Sequence, residues 1–467
     1  MFDSLVKRMQ EENFKLVSID LFSGPGGLCT GFKWAGILPL IAVEWTDTTV
    51  ETYSISHNAE VFELSKYLCD GNTDETYLNL YKKESTRSII IHGDINLVTT
   101  SLINDLLLTR YGIDSERETI DVVSGGAPCE SFSIAGQRAA NDERDDLFSN
   151  ILRISRAVQT KMILFENVKG LFSKARDGEK GAIFKYICDS FEDEKADTVY
   201  RLVSRNPETI LLKAADYGVP QLRERLFLVG IRTDLRTSFT YPPKEYGPGT
   251  EKPYVNVEDA ISDLPKVNMG EETTEYSPMK KFNSENQKFF VSIMRGTYEG
   301  KDISAKVPKH LIEQGLFSEN KISVHKGPGH VKRKQELLSL IGENESMRST
   351  YEKFVANGTI DNYRHLFPNT IYGSRNRRLI KKEPSFTVTS HCLDEILHPT
   401  LNRAVTPREA ARLQSFPDWY QFAGPYVQFH GDKVQDKYEQ IGDAIPPLLA
   451  CAIAKQIVYS LKKHNSN

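Results

Sequence analysis

Apolar residues in the first half of the chain form short continuous runs, each followed by a polar or glycine-rich segment. These runs lie at Leu16–Leu21, at Ile37–Trp45, at Ser88–Ile95, within TIDVVSGGAP (119–128) and at Met162–Val168. The stretch ETILLKAADYGVPQLRERLFLVGIR (208–232) supplies two more runs, and helical patterns separate the others. Continuous apolar strands that alternate with helices predict an α/β fold with a mostly parallel sheet. Functional residues are then expected at the carboxyl ends of the strands.

The regular alternation stops after Arg232. A segment rich in proline and glycine, YPPKEYGPGTEKPY (241–254), follows, and order returns at VTPREAARLQSFPDWYQF (405–422). There Thr406 is placed to cap a helix that begins at Pro407. Chains beyond about 250–300 residues usually divide into domains. We therefore expect one domain at 1–240, completed by about 426–467, and a smaller irregular domain at 241–425 that includes RAVTPREAARLQSFPD.

Composition is that of a soluble globular enzyme, with 39% hydrophobic and 26% charged residues in 467. No run approaches the roughly 18 consecutive apolar residues of a membrane span, and the charged N-terminus lacks an apolar signal core. The six cysteines are far apart, and no pair has the spacing of a zinc site, so no metal site is predicted. Free thiols are typical of a reducing cytoplasm. These cysteines are Cys29, Cys69, Cys129, Cys188, Cys392 and Cys451.

Charge is unevenly distributed along the chain. The net charge is −4, but residues 321–390 contain 13 Lys and Arg against 6 Asp and Glu, which leaves the remainder near −11. A basic region on an acidic body is the pattern of a protein with one nucleic-acid face. A solvated surface that happens to be rich in lysine is the alternative.

A glycine-rich turn, DLFSGPGG (20–27), follows the first apolar run and opens a helical pattern. Gly24, Gly26 and Gly27 let the backbone approach a ligand closely. Glu44 ends the second run, where an acid can hold ribose hydroxyls, and Trp45 offers a flat face for an adenine. Asp94, after the third run, is a candidate partner for the amino group of the base. Together these residues indicate a pocket for an adenosine ligand, although each alone is also explained by a tight turn, a surface acid or a core aromatic.

Eight ordered motifs make the sequence resemble the cytosine-5 methyltransferases that use S-adenosylmethionine, of the bacterial restriction-modification type. They are DLFSGPGG, GDI, GGAPCESFS, DERDDLF, FENV, PQLRERLFLVG, RAVTPREAARLQSFPD and QIGDAIPP. The resemblance implies a Rossmann-like S-adenosylmethionine-dependent methyltransferase fold and makes 241–425 the target-recognition domain. One departure is Asp443, where the family usually has Asn; we interpret it as a tolerated variant. Another is SHCLDEILHP, where a glycine is common before HP.

The resemblance also implies the catalytic residues. Cys129, in a loop of small residues after a strand, is the candidate nucleophile, because carbon 5 of cytosine becomes reactive only when a thiolate adds to carbon 6. Glu166 of FENV is expected to face nitrogen 3 and the amino group of the base, and Arg223 and Arg225 to bind the ring carbonyl and fix the loop of Cys129. In an extended strand the two arginines lie on one side. The residues implied for the cofactor S-adenosyl-L-methionine are Asp20, Phe22, Ser23, Gly24, Gly26, Gly27, Glu44, Trp45, Asp94, Ile95, Leu147, Asp443 and Ala444.

The expected partner is double-stranded DNA, with the target base rotated out of the stack because it is unreachable inside a duplex. Residues from about 241 to 400 are expected to read the DNA sequence, since they hold the basic excess and lack catalytic motifs. A restriction endonuclease acting on the same site is a further expected partner. We expect a monomer in the bacterial cytoplasm, with no membrane association.

Three alternatives are compatible with parts of this pattern. An RNA methyltransferase of the same superfamily would carry a Cys-Phe-Thr tripeptide, which does not occur here. A catalytically idle DNA-binding relative would be expected to lack Cys129 or Glu166. A Rossmann-type oxidoreductase predicts GxGxxG and explains none of the later motifs.

Overall fold

A mixed β-sheet forms the centre of the protein. The computed structural model describes residues 1–69, 72–127, 147–176, 178–277, 281–300, 303–428 and 433–465. In these residues the strands are β1 (Leu16–Leu21), β2 (Ile37–Glu44), β3 (Glu60–Glu63), β4 (Leu68–Cys69), β5 (Asn72–Thr73), β6 (Ile89–His92), β7 (Val122–Gly125), β8 (Met162–Asn167), β9 (Ala175–Arg176), β10 (Glu179–Lys180), β11 (Tyr200–Leu202), β12 (Leu211–Lys213), β13 (Glu224–Arg232), β14 (Glu272–Glu275), β15 (Lys321–Lys326), β16 (Arg377–Arg378) and β17 (Ile396–Leu397).

Nine of these strands form the main sheet in the order β11-β13-β8-β7-β1-β2-β6-β3, with β12 also paired to β13. The strands from β8 to β3 are parallel to their neighbours, and β13 is antiparallel to β8, β11 and β12. Strands β1 and β8 are buried along their whole length, as their continuous apolar sequences predict. The predicted α/β fold with a mostly parallel sheet is confirmed.

Helices cover the sheet and form a large part of the rest of the described chain. The described α-helices are α1 (Asp3–Glu11), α2 (Gly27–Ala35), α3 (Asp47–His57), α4 (Leu64–Tyr67), α5 (Glu75–Asn79), α6 (Thr100–Tyr111), α7 (Ser149–Ala157), α8 (Ala182–Phe191), α9 (Pro207–Ile210), α10 (Val257–Ile261), α11 (Glu285–Met294), α12 (Lys309–Glu313), α13 (Lys332–Leu340), α14 (Met347–Ala356), α15 (Ile360–Tyr363), α16 (Cys392–Glu395), α17 (Pro407–Leu413), α18 (Lys437–Asp443) and α19 (Pro447–Asn465). Short 3₁₀ turns lie at Ile95–Leu97, Lys169–Ser173, Ala214–Tyr217 and Arg364–Leu366.

Strand ends differ slightly from the sequence prediction. Strand β2 ends at Glu44 rather than at Trp45. Strand β6, which was the third predicted strand, ends at His92 rather than at Ile95. Strand β6 stops early because the Asp94 carboxylate accepts a hydrogen bond from the Asn96 N–H at 2.9 Å and caps a 3₁₀ turn. An N-cap of this kind competes with continued strand pairing.

Hydrophobic packing joins the two ends of the chain. One cluster of buried side chains combines one face of the main sheet with α2, α19 and residues from 257–322 and 405–422. A second covers the opposite face, and a smaller one lies within 337–397. The predicted division at residue 241 stays a prediction, because side chains beyond that point belong to the same cluster as the sheet.

The C-terminal helix is part of this core. Within the described chain, one helical stretch, Lys437–Lys463, is long and apolar enough by length and composition to cross a membrane. Of its apolar 18-residue stretch, 78% is buried inside the protein, which is typical of a core helix.

Candidate active site

The strand order reverses between β1 and β7. From β1 the chain continues to β2 and β6 on one side, whereas β7 and β8 extend the sheet on the other. Ligands of open α/β sheets bind outside the carboxyl ends of the strands at such a switch point. The predicted site residues Phe22, Glu44 and Glu166 lie at this edge, at the ends of β1, β2 and β8.

The turn after β1 has a backbone conformation that few side chains tolerate. Phe22, Gly24 and Gly26 have φ angles of 56°, 54° and 95°, in the region that glycine enters without steric cost. A Cβ atom at Gly26 would lie 2.3 Å from Nε2 of His57. Glycine at 26 is therefore required both for the turn and for the close packing of α3 behind it.

Glu44 holds this turn through its carboxylate. Oε2 accepts a hydrogen bond from the Gly24 N–H at 2.9 Å, and Oε1 accepts from the N–H groups of Trp45 and Thr46 at 2.8 and 3.0 Å. The N–H of Gly93, after β6, donates to the main-chain oxygen of Glu44 at 2.9 Å. Glu44 thus links the ends of β1, β2 and β6, and its oxygens retain further lone pairs for ligand hydroxyls.

Trp45 presents its ring at the same edge. Its exposed fraction is 44%, and Nζ of Lys433 lies 5.0 Å from the ring centre. The main-chain oxygen of Lys433 accepts from the N–H of Asp47 at 2.8 Å, which ties this segment to α3. An aromatic face with a cation beside it is suited to stacking on a planar base.

Asn150 brings Asp94, Ile95 and Leu147 together through its side-chain amide and its main-chain N–H. Nδ2 of Asn150 donates to Oδ1 of Asn96 at 2.8 Å, and the Asn150 N–H donates to the Leu147 main-chain oxygen at 3.2 Å. Residues 94–96 and the start of α7 therefore form one wall beside Glu44. Asp94 is half-buried and Ile95 is buried.

The segment after α18 crosses the glycine turn from the other side. A Cβ atom at Gly27 would lie 2.2 Å from the main-chain oxygen of Ile445. Oδ2 of the exposed Asp443 accepts from Nε2 of Gln435 at 3.2 Å, and Ala444 is buried. The structure thus places the segment that follows Asp443 and Ala444 against the predicted turn, although more than 400 residues of sequence separate them.

Asp20 lies beneath the turn rather than in the open crevice. Its exposed fraction is 1%, and its two oxygens accept from Oγ of Ser124 at 2.7 Å and Sγ of Cys29 at 2.9 Å. Burial raises the pKa of this carboxyl to about 6, against the lowering effect of the two hydrogen bonds. Ser23, also buried, donates its N–H to the main-chain oxygen of Val43 at 3.1 Å.

Glu166 and Arg225 form the second half of the site. Nε of Arg225 lies 3.1 Å from Oε1 of Glu166. Both side chains are largely buried, and burial raises the pKa of Glu166, whereas Arg225 and then Arg223 lower it. A Cβ atom at Gly126 would lie 2.7 Å from Oε2 of Glu166. Glycine at 126 therefore gives the carboxyl its space at the end of β8.

The two arginines have different surroundings. Arg223 precedes β13, is buried, and donates from Nη1 to the Val388 main-chain oxygen at 2.8 Å. Arg225, within β13, donates from Nη1 to the main-chain oxygen of Glu224 at 2.9 Å and faces Glu166. Arg223 therefore anchors the segment around Val388, and Arg225 is the arginine in contact with the carboxyl.

Two amides that had no predicted role support these groups. Nδ2 of Asn167 donates to the Ala127 main-chain oxygen at 3.3 Å, immediately before the segment that carries Cys129. Nε2 of Gln221 donates to Oε1 of Gln414 at 3.0 Å, and Oε1 of Gln221 accepts from the Val388 N–H at 2.8 Å. The sequence signal was present, since both amides belong to motifs that also contain charged site residues. Cys129 itself lies outside the described residues.

Comparison with known proteins gives the family. The family model for C-5 cytosine-specific DNA methylase matches residues 65–459. Type II methyltransferase M.DdeI of Desulfomicrobium norvegicum is 28% identical over 453 residues, which cover 96% of this chain and 89% of that protein. Type II methyltransferase M.XorII of Xanthomonas oryzae is 28% identical over 450 residues, which cover 96% and 85%.

A solved structure supports the fold. A protein described as a DNA modification methyltransferase encoded within an E. coli prophage superposes with a TM-score of 0.64 at 24% identity, covering 96% of this chain and all of that one. The family match spans most of the chain, and its relatives align across nearly all of it. The chain belongs to the C-5 cytosine-specific DNA methylases and is a DNA cytosine-5 methyltransferase.

Proposed function

We propose that this enzyme uses S-adenosyl-L-methionine to methylate carbon 5 of a flipped-out cytosine in a specific double-stranded DNA site, with Cys129 as the nucleophile. The observation that carries the proposal is the contact between Glu166 and Arg225 beside Gly126. This buried acid lies at the strand edge from which the segment with Cys129 departs. A positioned acid next to a nucleophile segment is what addition to carbon 6 requires.

The residues at the switch point fit the proposed cofactor. The Glu44 carboxylate suits ribose hydroxyls, the exposed Trp45 ring suits the adenine, and Asp94 suits its amino group. We propose that the glycine turn encloses the rest of the cofactor, with further residues around it. The turn contributes Phe22, Ser23, Gly24, Gly26 and Gly27, and the surrounding residues are Ile95, Leu147, Asp443 and Ala444. S-adenosylmethionine supplies an activated methyl group when it is bound. The proposal leaves Asp20 out of direct contact because its carboxyl is sealed between Ser124 and Cys29.

The proposed chemistry begins with addition of the Cys129 thiolate to carbon 6 of the target cytosine. The electron pair of the double bond moves toward carbon 5, which becomes nucleophilic. Nitrogen 3 becomes more basic at the same moment, so that the Glu166 carboxyl stabilises it by a hydrogen bond or a proton. After methylation, loss of the carbon 5 proton to a base restores the double bond and expels the thiolate. Arg225, with Arg223 behind it, holds the ring carbonyl.

The target is DNA, and we propose that residues from about 241 to 400 read its sequence. Within this range, residues 321–390 hold the basic excess, which suits phosphate contacts and base reading by arginine. The Type II relatives suggest that a restriction endonuclease recognises the same site. We propose that the enzyme acts as a monomer in the bacterial cytoplasm, where its substrate is found.

Covalent trapping tests the proposal. DNA that carries 5-fluorocytosine should form a denaturation-resistant adduct with the wild type, because fluorine cannot leave as a proton does. Cys129→Ser should bind DNA and cofactor but form no adduct. Cys188→Ser changes a buried thiol on α8 and should be trapped like the wild type. Adduct formation by Cys129→Ser, or labelled methyl found on adenine, on cytosine N4 or only on RNA, would contradict the proposal.

A further inference from the structure

A buried polar cluster lies directly beneath the glycine turn. Asp20 on β1 is paired in register with Ser124 on the parallel strand β7. Ser124 Oγ donates to one carboxyl oxygen of Asp20 at 2.7 Å, and Cys29 Sγ, on α2, donates to the other at 2.9 Å. Tyr53 on α3 donates its hydroxyl to Cys29 Sγ at 3.2 Å. All four side chains are buried.

Burial of the Asp20 carboxyl costs free energy unless hydrogen bonds offset it. Lone carboxyls are rarely found inside a parallel sheet, because burial disfavours their charged form. Two donors from two different elements satisfy the Asp20 oxygens, and a small apolar cluster that includes Ala42, Val50 and Ile90 surrounds Cys29 and Tyr53. Asp20 has no open surface through which it could touch a ligand.

The cluster joins the two chain segments that build the active site. Two residues after Asp20 the chain enters the turn at Phe22, and α2, which carries Cys29, begins at Gly27 on the far side of that turn. Ser124 lies in the last strand residues before Ala127, where the segment with Cys129 begins. Strands β1 and β7 flank the switch point, so the chain does not connect them locally.

We infer that Asp20 is a positioning residue: through Ser124 and Cys29 it fixes the cofactor-binding turn of β1 relative to the β7 end that carries the nucleophile segment. This inference rests on the proposed roles of that turn and of Cys129. The donor and the nucleophile approach carbon 5 and carbon 6 of one ring, so their relative placement controls the rate. A displacement of 1 Å can cost about 10²-fold in such a geometry.

Loss of each of the two hydrogen bonds to Asp20 has a separate expected consequence. Loss of the Ser124 hydroxyl releases the β7 end from Asp20 while α2 stays bonded to it. The backbone pairing of β1 and β7 remains, but we expect the end of β7 to shift enough to slow the chemistry while the cofactor turn stays intact. Loss of the Cys29 thiol releases α2 and the turn while β7 stays bonded. A side chain that only stabilised the fold would affect both functions equally.

The first test compares two buried serines on neighbouring strands. Ser124→Ala should lower kcat and the rate of 5-fluorocytosine trapping about tenfold or more, with the cofactor Kd from calorimetry unchanged. Ser18→Ala is the matched control, since Ser18 is equally buried on β1 and its Oγ has no hydrogen-bond partner among the described residues. It should match the wild type in both measurements.

The second test removes the hydrogen bond from Cys29 to Asp20. Cys29→Ala should weaken S-adenosylmethionine binding about tenfold, because the turn loses its tie to Asp20 and is less preorganised for the cofactor. Cys29→Ser retains a donor to Asp20 and should restore affinity toward that of the wild type. Calorimetry measures both variants without DNA, so that the result does not depend on turnover.

The results separate the positioning role from the proposed function. A wild type that neither traps 5-fluorocytosine nor methylates cytosine would overturn the proposed function, and the positioning role with it. An active, trapped wild type with Ser124→Ala equal to Ser18→Ala would overturn the positioning role alone. A lower Tm for Ser124→Ala with kcat unchanged well below that Tm would also overturn it, because the hydroxyl would then be merely structural.

Discussion

At the residue scale, two buried carboxyls near the carboxyl edge of the sheet, Asp20 and Glu166, have different partners. Asp20 is surrounded by neutral donors, and burial raises its pKa to about 6. Glu166 has the Arg225 guanidinium beside it, and the raised pKa that burial gives Glu166 is partly offset by that charge. The first arrangement suits a fixed structural tie, and the second suits a group that exchanges hydrogen bonds with a substrate.

Glu166→Gln should lower turnover by about 10²–10⁴-fold, the usual contribution of a positioned acid. Because the folded state raises the pKa of Glu166, a neutral amide there should not lower Tm at pH 8. Steady-state methylation and thermal unfolding measure the two effects. Glu224→Gln changes the neighbouring acid, which pairs with Lys169 at the surface, and should retain activity. Equal activity of the two variants would remove Glu166 from the site.

Glu44→Ala should weaken cofactor binding by about 1.5–3 kcal/mol, the scale of charge-assisted hydrogen bonds. The loss has two sources in the structure, since Glu44 also holds the Gly24 N–H. Calorimetric titration with S-adenosylmethionine measures it, and Glu51→Ala, an exposed acid on α3, serves as the control. Unchanged affinity in Glu44→Ala would place the ribose elsewhere.

Asp20→Asn should change the pH dependence of stability. The folded pKa of about 6 exceeds the ordinary value of 3.8, so the stability that the neutral carboxyl contributes is present below pH 3.8 and lost as pH rises through 6. An amide does not ionise. The variant should therefore gain about 2 kcal/mol on the wild type between pH 4 and 7.5, by the pKa difference. Denaturant unfolding at both pH values measures this gain, and a constant difference would contradict it.

At the scale of elements, helix α17 shows how a cap becomes part of a larger network. The predicted N-cap Thr406 and first-turn Pro407 are confirmed, and Thr406 and Glu409 form a capping box. The same Glu409 carboxylate binds both Nη atoms of Arg403 at 2.8 and 2.7 Å. Arg403 lowers the pKa of Glu409 to about 2 despite burial. The helix start is thereby fixed to the segment that precedes it.

Thr406→Ala should cost about 1 kcal/mol, as for an ordinary N-cap. Glu409→Gln should cost about 3–5 kcal/mol, because it leaves the buried Arg403 without its carboxylate. Urea unfolding at pH 7 measures both. Since the pKa of Glu409 is lowered to about 2 from 4.5, its contribution is present above pH 4.5 and lost as pH falls through 2. Equal costs for the two substitutions would show that the cap alone stabilises α17.

At the scale of the whole molecule, buried ion pairs connect the predicted DNA-reading range 241–400 to helix α17 and the residues that follow it. Arg412 on α17 contacts Asp418 at 2.6 Å and Asp263 at 2.9 Å, and Asp263 also contacts Arg295 at 2.8 Å. Asp263 and Arg295 belong to the predicted DNA-reading range, whereas Arg412 and Asp418 lie outside it. A replacement segment must therefore supply a carboxylate opposite Arg412.

Exchanging residues 241–400 for the equivalent region of a relative, with the partner of Arg412 retained, should move methylation to the relative's site. The physical reason is that base reading depends on side chains placed in the groove, whereas the chemistry depends on the fixed catalytic frame. Bisulfite sequencing of DNA from cells that express the chimera measures the change. A folded chimera that methylates the original site would show that the reading residues lie elsewhere.

The sequence by itself determined the sheet and the family. Uninterrupted apolar runs indicate strands that are covered on both faces. The runs by themselves place Glu44 and Glu166 near strand ends, and the motif PQLRERLFLVG places Arg225 in a strand. Only the tertiary structure decided which polar groups face one another. It buried Asp20 between Ser124 and Cys29, bonded Arg223 to the Val388 main-chain oxygen, and brought the segment that follows Asp443 against the glycine turn. These partners are distant in sequence, and their contacts follow from strand order and packing, which local patterns do not encode.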